Sequence, residues 1–535
     1  MNGSAQNALP REWLGEAQAL IERGNYSTLE AHLPAAVPQG LFSDATLDAA
    51  RAQRLVATVI YLATLGEANL PKPNDRSMWL AVYQSLQKGV ATPEFEALHD
   101  STPIKRVVAA VVGGANATLR LDHCARALEG WLPAIQLAFD ISRFDLLYAI
   151  VDYLSGRNVP AVDWLRIADV LYGRQQMREQ SIIDADFARS LSLVAGQLPR
   201  NRVCEPPRSL LALQAMDTFK GCREFRSVLK VADMVTVRDD RTEARVLTAM
   251  AHSHLGDYTK AIDALDAWLN EKTSDRSLPG TVQWMHQRHQ EMLARKALRP
   301  AFDDRGSAVL VDFVHALHGS AVKCFAVAGT LLGIAREGRL LPHDDDLDFG
   351  VPGWEMQYEI AELLLESNKF VVRPQDLKKE KTLQQKIFHI ESGIQVDVFT
   401  FAPDGDRFIQ FVESDFGYAL EREYPHFDTT TTCVYGVEVC VPDPVEIYLD
   451  HNYGKNWRTP DPVSGGIVAI PNNVDEGGLI HQLAFRHYLW MCIRDGDQRK
   501  MEKILRFMSR LAPNSLKLDA GLESKLMHLA TIGLA

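Results

Sequence analysis

At 535 residues the chain is longer than one hydrophobic core usually supports, so two or three domains are expected. Its 46% apolar and 24% charged content is ordinary for globular proteins, so most of the chain should fold. A formal net charge of -12, with no basic stripe carrying interleaved aromatics, excludes nucleic acid as the main partner.

The polar amino terminus, Met1 to Pro10, lacks the charged and apolar regions of a secretory signal. The longest apolar stretches, near Leu55 to Leu65 and Val107 to Val112, are too short to span a bilayer. The cysteines, Cys124, Cys204, Cys222, Cys324, Cys433, Cys440 and Cys492, show neither CxxC nor zinc-ligand spacing and read as buried thiols in a reducing compartment. A cytoplasmic protein without a transmembrane segment is expected, compatible with peripheral attachment at the inner face of the membrane.

Residues 1–300 show apolar positions at three- and four-residue spacing, punctuated by Gly, Pro and Asn, and predict an all-α region. Within it Ala244, Leu247, Ala251, Leu255, Gly256, Asp257, Tyr258, Ala261, Ile262 and Leu265 resemble a tetratricopeptide helix pair. Small residues allow close approach of the two helices, and Gly256-Asp257-Tyr258 makes the turn. Weaker echoes stand at Gly24-Asn25-Tyr26 and at Gly221 to Phe225, off any fixed period. The expectation is a degenerate helical repeat array whose concave surface holds a protein partner, a growing chain or the membrane surface. On the same stretch, His286 and His289 at helical spacing read as an exposed face rather than a metal pair.

From Leu298 to Asp304 the texture changes. A helix over 303–318 precedes short runs rich in Val, Phe and Ile at Cys324 to Val327, Leu347 to Val351, Lys386 to Ile390, Gln395 to Phe401 and Val434 to Val441. Pro403 to Asp406 reads as a turn, and helices are expected at Trp354 to Ser367 and Pro444 to Tyr453. These elements predict an α+β domain over 301–465, followed by a helical extension over 466–535.

The chemistry is concentrated in Gly329-Thr330-Leu331-Leu332-Gly333, Arg336 and Pro342-His343-Asp344-Asp345-Asp346-Leu347-Asp348-Phe349. In a strand beginning at Asp346, the period of two puts Asp346 and Asp348 on one face and Leu347 and Phe349 in the core, with Asp344 approaching the acidic face. Converging carboxylates repel one another and acquire raised pKa values unless a divalent cation neutralises them, and hard oxygen ligands favour Mg²⁺ or Mn²⁺. Asp397, alone in the apolar run Gln395 to Phe399, is costly to bury unless it joins that cluster. Gly329 and Thr330 leave a strand and enter a helix, offering backbone N–H groups to a phosphate. Arg336 is a candidate phosphate contact through its planar fork.

A Gly-Ser/Thr turn, an Asp-x-Asp strand and a later single Asp resemble the DNA polymerase beta-like nucleotidyltransferase superfamily. Within it, Gly329 to Gly333, Arg336 and Pro342 to Asp348 are similar to the LicD/fukutin-like family, as are Val441-Pro442, Tyr448-Leu449 and Tyr453 to Pro460. His343 stands where that family usually has Trp; every acidic position is intact. The resemblance implies a nucleotidyltransferase-fold catalytic domain that moves ribitol phosphate, glycerol phosphate or phosphocholine from a CDP-activated donor to a glycan hydroxyl in cell-surface polysaccharide biosynthesis. It implies metal ligation by Asp344, Asp346, Asp348 and Asp397, with catalysis centred on Asp346, Asp348 and Asp397. Asp397 either ligates a second metal or deprotonates the acceptor. Two other functions compete: transfer of the nucleoside monophosphate itself, and a non-catalytic adaptor built on the helical repeats.

Overall fold

Helix-forming runs among the described residues between 131 and 298 become helices because their apolar positions recur on one face and their ends carry stop signals. The computed structural model describes residues 131–140, 143–176, 182–298, 301–373, 382–460, 468, 472–474, 478–509 and 518–532. Met1 to Pro10, Gly24-Asn25-Tyr26, the apolar runs at 55–65 and 107–112, and Cys124 lie outside them. The division between two compact units falls between Leu247 and Thr248.

Before that division stand α1 (Leu132–Asp140), α2 (Phe144–Ser155), α3 (Ala161–Gln176), α4 (Ala185–Gln197), α5 (Glu205–Gly221) and α6 (Phe225–Ala232). Their core includes Phe139, Phe144 and Phe187, whose ring centroids lie 5.2–5.8 Å apart. The Asp184 carboxylate caps α4 by accepting from the Phe187 N–H at 2.9 Å. The break expected at Gly221 to Phe225 separates α5 from α6, with Arg223 at φ +60°.

Helix α7 (Arg238–His254) runs across the division, and α8 (Tyr258–Lys272) follows the turn at Gly256, φ +79°. Ala251 and Ala261 are fully buried, as close approach of two helices demands. Helix α9 (Leu278–Leu298) comes next and α10 (Phe302–Leu317) leads into the sheet. Among the described residues no helix is long and apolar enough to cross a membrane.

The second unit carries a nine-stranded mixed sheet, so the chain is multidomain, with a helical N-terminal region and an α+β domain. Its strands are β1 (Phe325–Ala326), β2 (Asp346–Pro352), β3 (Phe370–Val372), β4 (Gln384–His389), β5 (Gln395–Asp404), β6 (Arg407–Glu413), β7 (Ala419–Pro425), β8 (Asp428–Val434) and β9 (Val437–Asp443). The order is β3-β4-β5-β2-β1-β9-β8, with β6 pairing both β5 and β7. Strands β2 and β5 run parallel at the centre, and the register sets Asp348 opposite Asp397. The turn expected at Pro403 to Asp406 joins β5 to β6.

Leu347, Phe349 and Val351 of β2 are buried in the same core as Phe313 of α10, whose ring stacks on Phe349 at 4.4 Å. That packing fixes which face of β2 is apolar and therefore which face is left to its aspartates. The remaining helices are α11 (Ala328–Glu337), α12 (Met356–Glu366), α13 (Val445–Tyr453), α14 (Leu479–Asp495), α15 (Gln498–Met508) and α16 (Ala520–Thr531). Helix α14 ends at Gly496, φ +75°, before α15 begins.

Candidate active site

Strand alternation delivers the acidic group. Asp346 and Asp348 lie on the face of β2 opposite Leu347 and Phe349, and Asp397 joins them from β5. Carboxylate oxygens of Asp346, Asp348 and Asp397 come within 4.8 Å of one another. Asp344 stands just before β2, outside that trio but close enough for its charge to act on Asp348.

All four carboxyls are pushed above the usual carboxylate range, each first by burial. Asp344 rises to about 7, with Asp346 the next cause. Asp397 also rises to about 7, pushed further by Asp346 and held back by the Lys386 charge and by amide hydrogen bonds from Gln395 and Gln384. Asp346 is raised by burial and Asp345, and Asp348 is raised well above its ordinary value by burial and by Asp346, Asp397 and Asp344. Such a cluster holds protons near neutrality or holds a cation.

The Gly329-Thr330 turn is built onto these acids. The Gly329 N–H donates to Asp348 Oδ2 at 3.3 Å, and Thr330 Oγ1, fully buried, accepts from the Asp348 N–H at 2.8 Å. A Cβ on Gly329 would come within 2.3 Å of Asp344 Oδ2, so only glycine lets that carboxylate lie against the turn. Gly333 serves a related purpose: a Cβ there would meet the Arg339 carbonyl at 2.6 Å, in the loop that leads to Asp344. Just before the turn, Ala328 adopts φ +44°, and its N–H donates to the Tyr448 hydroxyl at 3.2 Å. A non-glycine residue in the left-handed region costs roughly 1–3 kcal/mol and persists only where its surroundings impose it.

Three other residues of the sequence motifs, Arg336, His343 and Tyr453, lie outside β2 and β5. Arg336 occupies the last turn of α11, about 9 Å along the helix from Thr330, and makes no ion pair with the acids among the described residues. His343 lies in the loop between α11 and β2, with Tyr453 at the end of α13. Tyr453 is partly exposed, and its phenol is pushed up by burial and then by Asp348 and Asp344.

Sequence reading passed over three polar neighbours. Gln395 donates to Asp397 Oδ1 at 2.8 Å, and Gln384 ties Asp397 to β6 by accepting from the Glu413 N–H at 3.1 Å. Lys386 faces Asp397 across the β4–β5 pair. Each stands two residues from the next on its strand, a period-two signal that becomes informative only once β4 is known to pair with β5.

A mixed sheet presenting three clustered aspartates from two parallel neighbours, with a Gly-Thr turn bonded to one of them, defines a nucleotidyltransferase-fold domain. Residues 321–443 match the model described as LicD/FKTN/FKRP, nucleotidyltransferase domain. The resemblance to the LicD/fukutin-like family therefore lies in this domain. It is similar to ribitol-5-phosphate transferase FKTN of Mus musculus, 24% identical over 160 residues, which are 30% of this chain and 34% of that protein. The same protein of Homo sapiens is 24% identical over 161 residues, again 30% of this chain and 34% of the relative. The match thus spans about a third of the length of these relatives.

Proposed function

We propose that the second unit is a divalent-metal-dependent phosphotransferase. It moves a phospho-linked group, of which ribitol phosphate, glycerol phosphate and phosphocholine are the candidates, from a CDP-activated donor to a hydroxyl of a cell-surface glycan. The observation that carries this reading is the convergence of Asp346, Asp348 and Asp397 within 4.8 Å. The match of residues 321–443 to the LicD/FKTN/FKRP nucleotidyltransferase domain and the similarity to a ribitol-5-phosphate transferase support the transferred class.

The donor set fits a hard divalent cation. It consists of carboxylate oxygens with raised pKa values, and neither thiol nor imidazole takes part. Asp346, Asp348 and Asp397 would hold the ion, and Asp344 would complete the negative wall. A bound cation supplies positive charge against the donor's pyrophosphate as CMP leaves. The protein's own contribution is positional. Thr330 and Gly329 fix Asp348, Gln395 and Gln384 fix Asp397, and the sheet register sets the two carboxylates side by side. In the transfer the acceptor oxygen forms a bond to phosphorus, the bond from that phosphorus to the CMP oxygen breaks, and the hydroxyl proton passes to a base.

Acceptor-dependent CMP release from CDP-ribitol, CDP-glycerol and CDP-choline, measured with Mg²⁺ and with EDTA, tests the reading. Release should need Mg²⁺ and fall by about 100-fold or more in Asp346→Asn/Asp348→Asn, a loss of several kcal/mol of charge stabilisation. Pyrophosphate release with nucleotidylated products from ATP or GTP alone would replace this reading with nucleotidyl transfer.

A further inference from the structure

The sheet register places a cation in line with the acids. Lys386 on β4 is directly opposite Asp397 on β5, and Asp397 is directly opposite Asp348 on β2. Directly opposed residues share a face of the sheet. One row across three strands therefore reads Lys, Asp, Asp. The Lys386 ammonium lies 2.9 Å from Asp415 Oδ2; the lysine side chain is 17% exposed and that of Asp415 76%. A largely covered ammonium thus meets a solvent-exposed carboxylate at the edge of the acidic group.

Asp415 does not hang on a loose loop. It occupies the turn between β6 and β7, where its carbonyl lies 3.1 Å from His254 Nε2. Two residues further on, Gly417 has φ +94°, and a Cβ there would come within 2.7 Å of the His254 backbone nitrogen. On its other side the turn is held by α14: Phe416 stacks on the His487 ring at 4.3 Å, and the Tyr418 hydroxyl lies 2.8 Å from His487 Nδ1. The helices thereby fix the turn, the turn fixes Asp415, and Asp415 fixes the ammonium.

We propose that Lys386 is the phosphate-binding cation of this site, contacting a non-bridging oxygen of the donor's diphosphate, and that Asp415 is its positioning residue. The proposal rests on the donor reading given above. Three carboxylates and a diphosphate diester together carry a charge of about -5, and one divalent cation leaves about -3, so a fixed ammonium relieves repulsion that would otherwise expel the donor. An exposed carboxylate partner suits this task, because water screens that ion pair and a phosphate oxygen can replace it at small cost.

Binding of CDP, UDP and ADP to the full chain with saturating Mn²⁺, followed by calorimetry, tests the proposal, with Mn²⁺ binding alone followed by the magnetic resonance of the ion. Lys386→Met should weaken nucleoside-diphosphate binding by about 10- to 100-fold, the loss of one charge-assisted hydrogen bond. Binding of Mn²⁺ alone should be unchanged or tighter, since a nearby positive charge is gone. Lys386→Arg should keep most of the affinity, and Asp415→Asn should weaken it by only about threefold, as an exposed ion pair allows. If Lys386→Met unfolds, Lys386→Gln carries the same comparison. Equal CDP affinity in wild type and Lys386→Met overturns the proposal and leaves the donor reading standing, and so does a loss of Mn²⁺ affinity in Lys386→Met. Binding of UDP or ADP but not CDP, weakened in Lys386→Met, supports the lysine's role and removes the cytidine donor. Absence of any nucleoside-diphosphate binding to the wild type overturns both.

Discussion

At the scale of single residues the site is governed by the cost of crowding carboxylates in a covered place. Asp397 shows the consequence. Its folded pKa is about 7 against an ordinary 3.8, so between those values the folded chain holds a proton that the unfolded chain has released. Stability that depends on this group is therefore present at low pH and declines as pH rises from about 4 to about 7. Replacing it by Asn removes the charge and keeps the shape. In EDTA at pH 8, Asp397→Asn should melt about 2–5 °C above the wild type, the shift expected for relief of about 1–2 kcal/mol. Mg²⁺ should raise the wild-type melting temperature at pH 8, raise it much less at pH 5.5, where protons compete for the same oxygens, and leave the variant nearly unmoved. Melting curves at the two pH values check all three arms; a variant less stable than wild type in EDTA would mean that Asp397 is a structural hydrogen-bond acceptor and no ligand. His487, buried and depressed to about 3, contributes the opposite slope, losing stability as pH falls below about 6.5, so the comparison is made between variants at one pH. The aspartates themselves were legible in the sequence because Leu347 and Phe349 alternate with them. Lys386 and Gln384 in the strand QQKIFH, and Gln395 at the start of β5, were not, because a polar strand residue gains a role only from the neighbour it faces, and register is a long-range fact.

At the scale of elements, what could be read depended on whether a strand's own pattern carried information. Strands β2 and β5 announce themselves by apolar runs broken by single acids, and α10, α12 and α13 by their spacing. Strand β8, DTTTTCV, is exposed along most of its length at the edge of the sheet and has no alternation to read. Strands β6 and β7 form a hairpin whose sequences, RFIQFVE and ALEREYP, mix charge into both faces. They are held by pairing with β5 and with each other, which local pattern cannot express. The short β1 has only two paired residues, yet it joins β2 to β9 through the centre of the sheet. Helices are tied in by ion pairs as well as by apolar packing. Arg486 of α14, only 3% exposed, donates from Nε to Asp266 of α8 at 2.7 Å. The Asp266 carboxyl is pushed up by burial in spite of that guanidinium, so the pair is costly to assemble and costlier to break. Asp266→Ala should destabilise the second unit by about 2 kcal/mol, below the usual range for a buried pair because Asp266 is partly exposed and Arg486 keeps the Gln482 carbonyl. Urea unfolding of the two proteins measures this; no change would mean that the pair contributes nothing net.

At the scale of the whole molecule, the residues that carry chemistry occupy a small part of the unit that supports them. The family match covers residues 321–443, whereas the compact unit begins at Thr248. The difference is structural substance. Helices α8 and α9 pack on α14, and Gly496, at the end of α14, lies so close to α9 that a Cβ would come within 2.1 Å of the Met285 carbonyl. Helix α14 in turn packs on β7, the strand that follows the turn carrying Asp415. A fragment of residues 301–465 therefore loses the helices that hold that turn and exposes the apolar flank of β7, while residues 238–535 keep α7 whole together with every element of the second unit. The longer fragment should unfold in one cooperative transition and retain Mg²⁺-induced stabilisation. The shorter one should resist trypsin poorly and show no such stabilisation, because the carboxylates converge only when β2 and β5 are held in register by the surrounding packing. Thermal unfolding with and without Mg²⁺ decides it: a cooperative, Mg²⁺-responsive 301–465 fragment would show that the acidic site needs nothing beyond its own sheet, and that α8, α9 and α14 serve some purpose other than support.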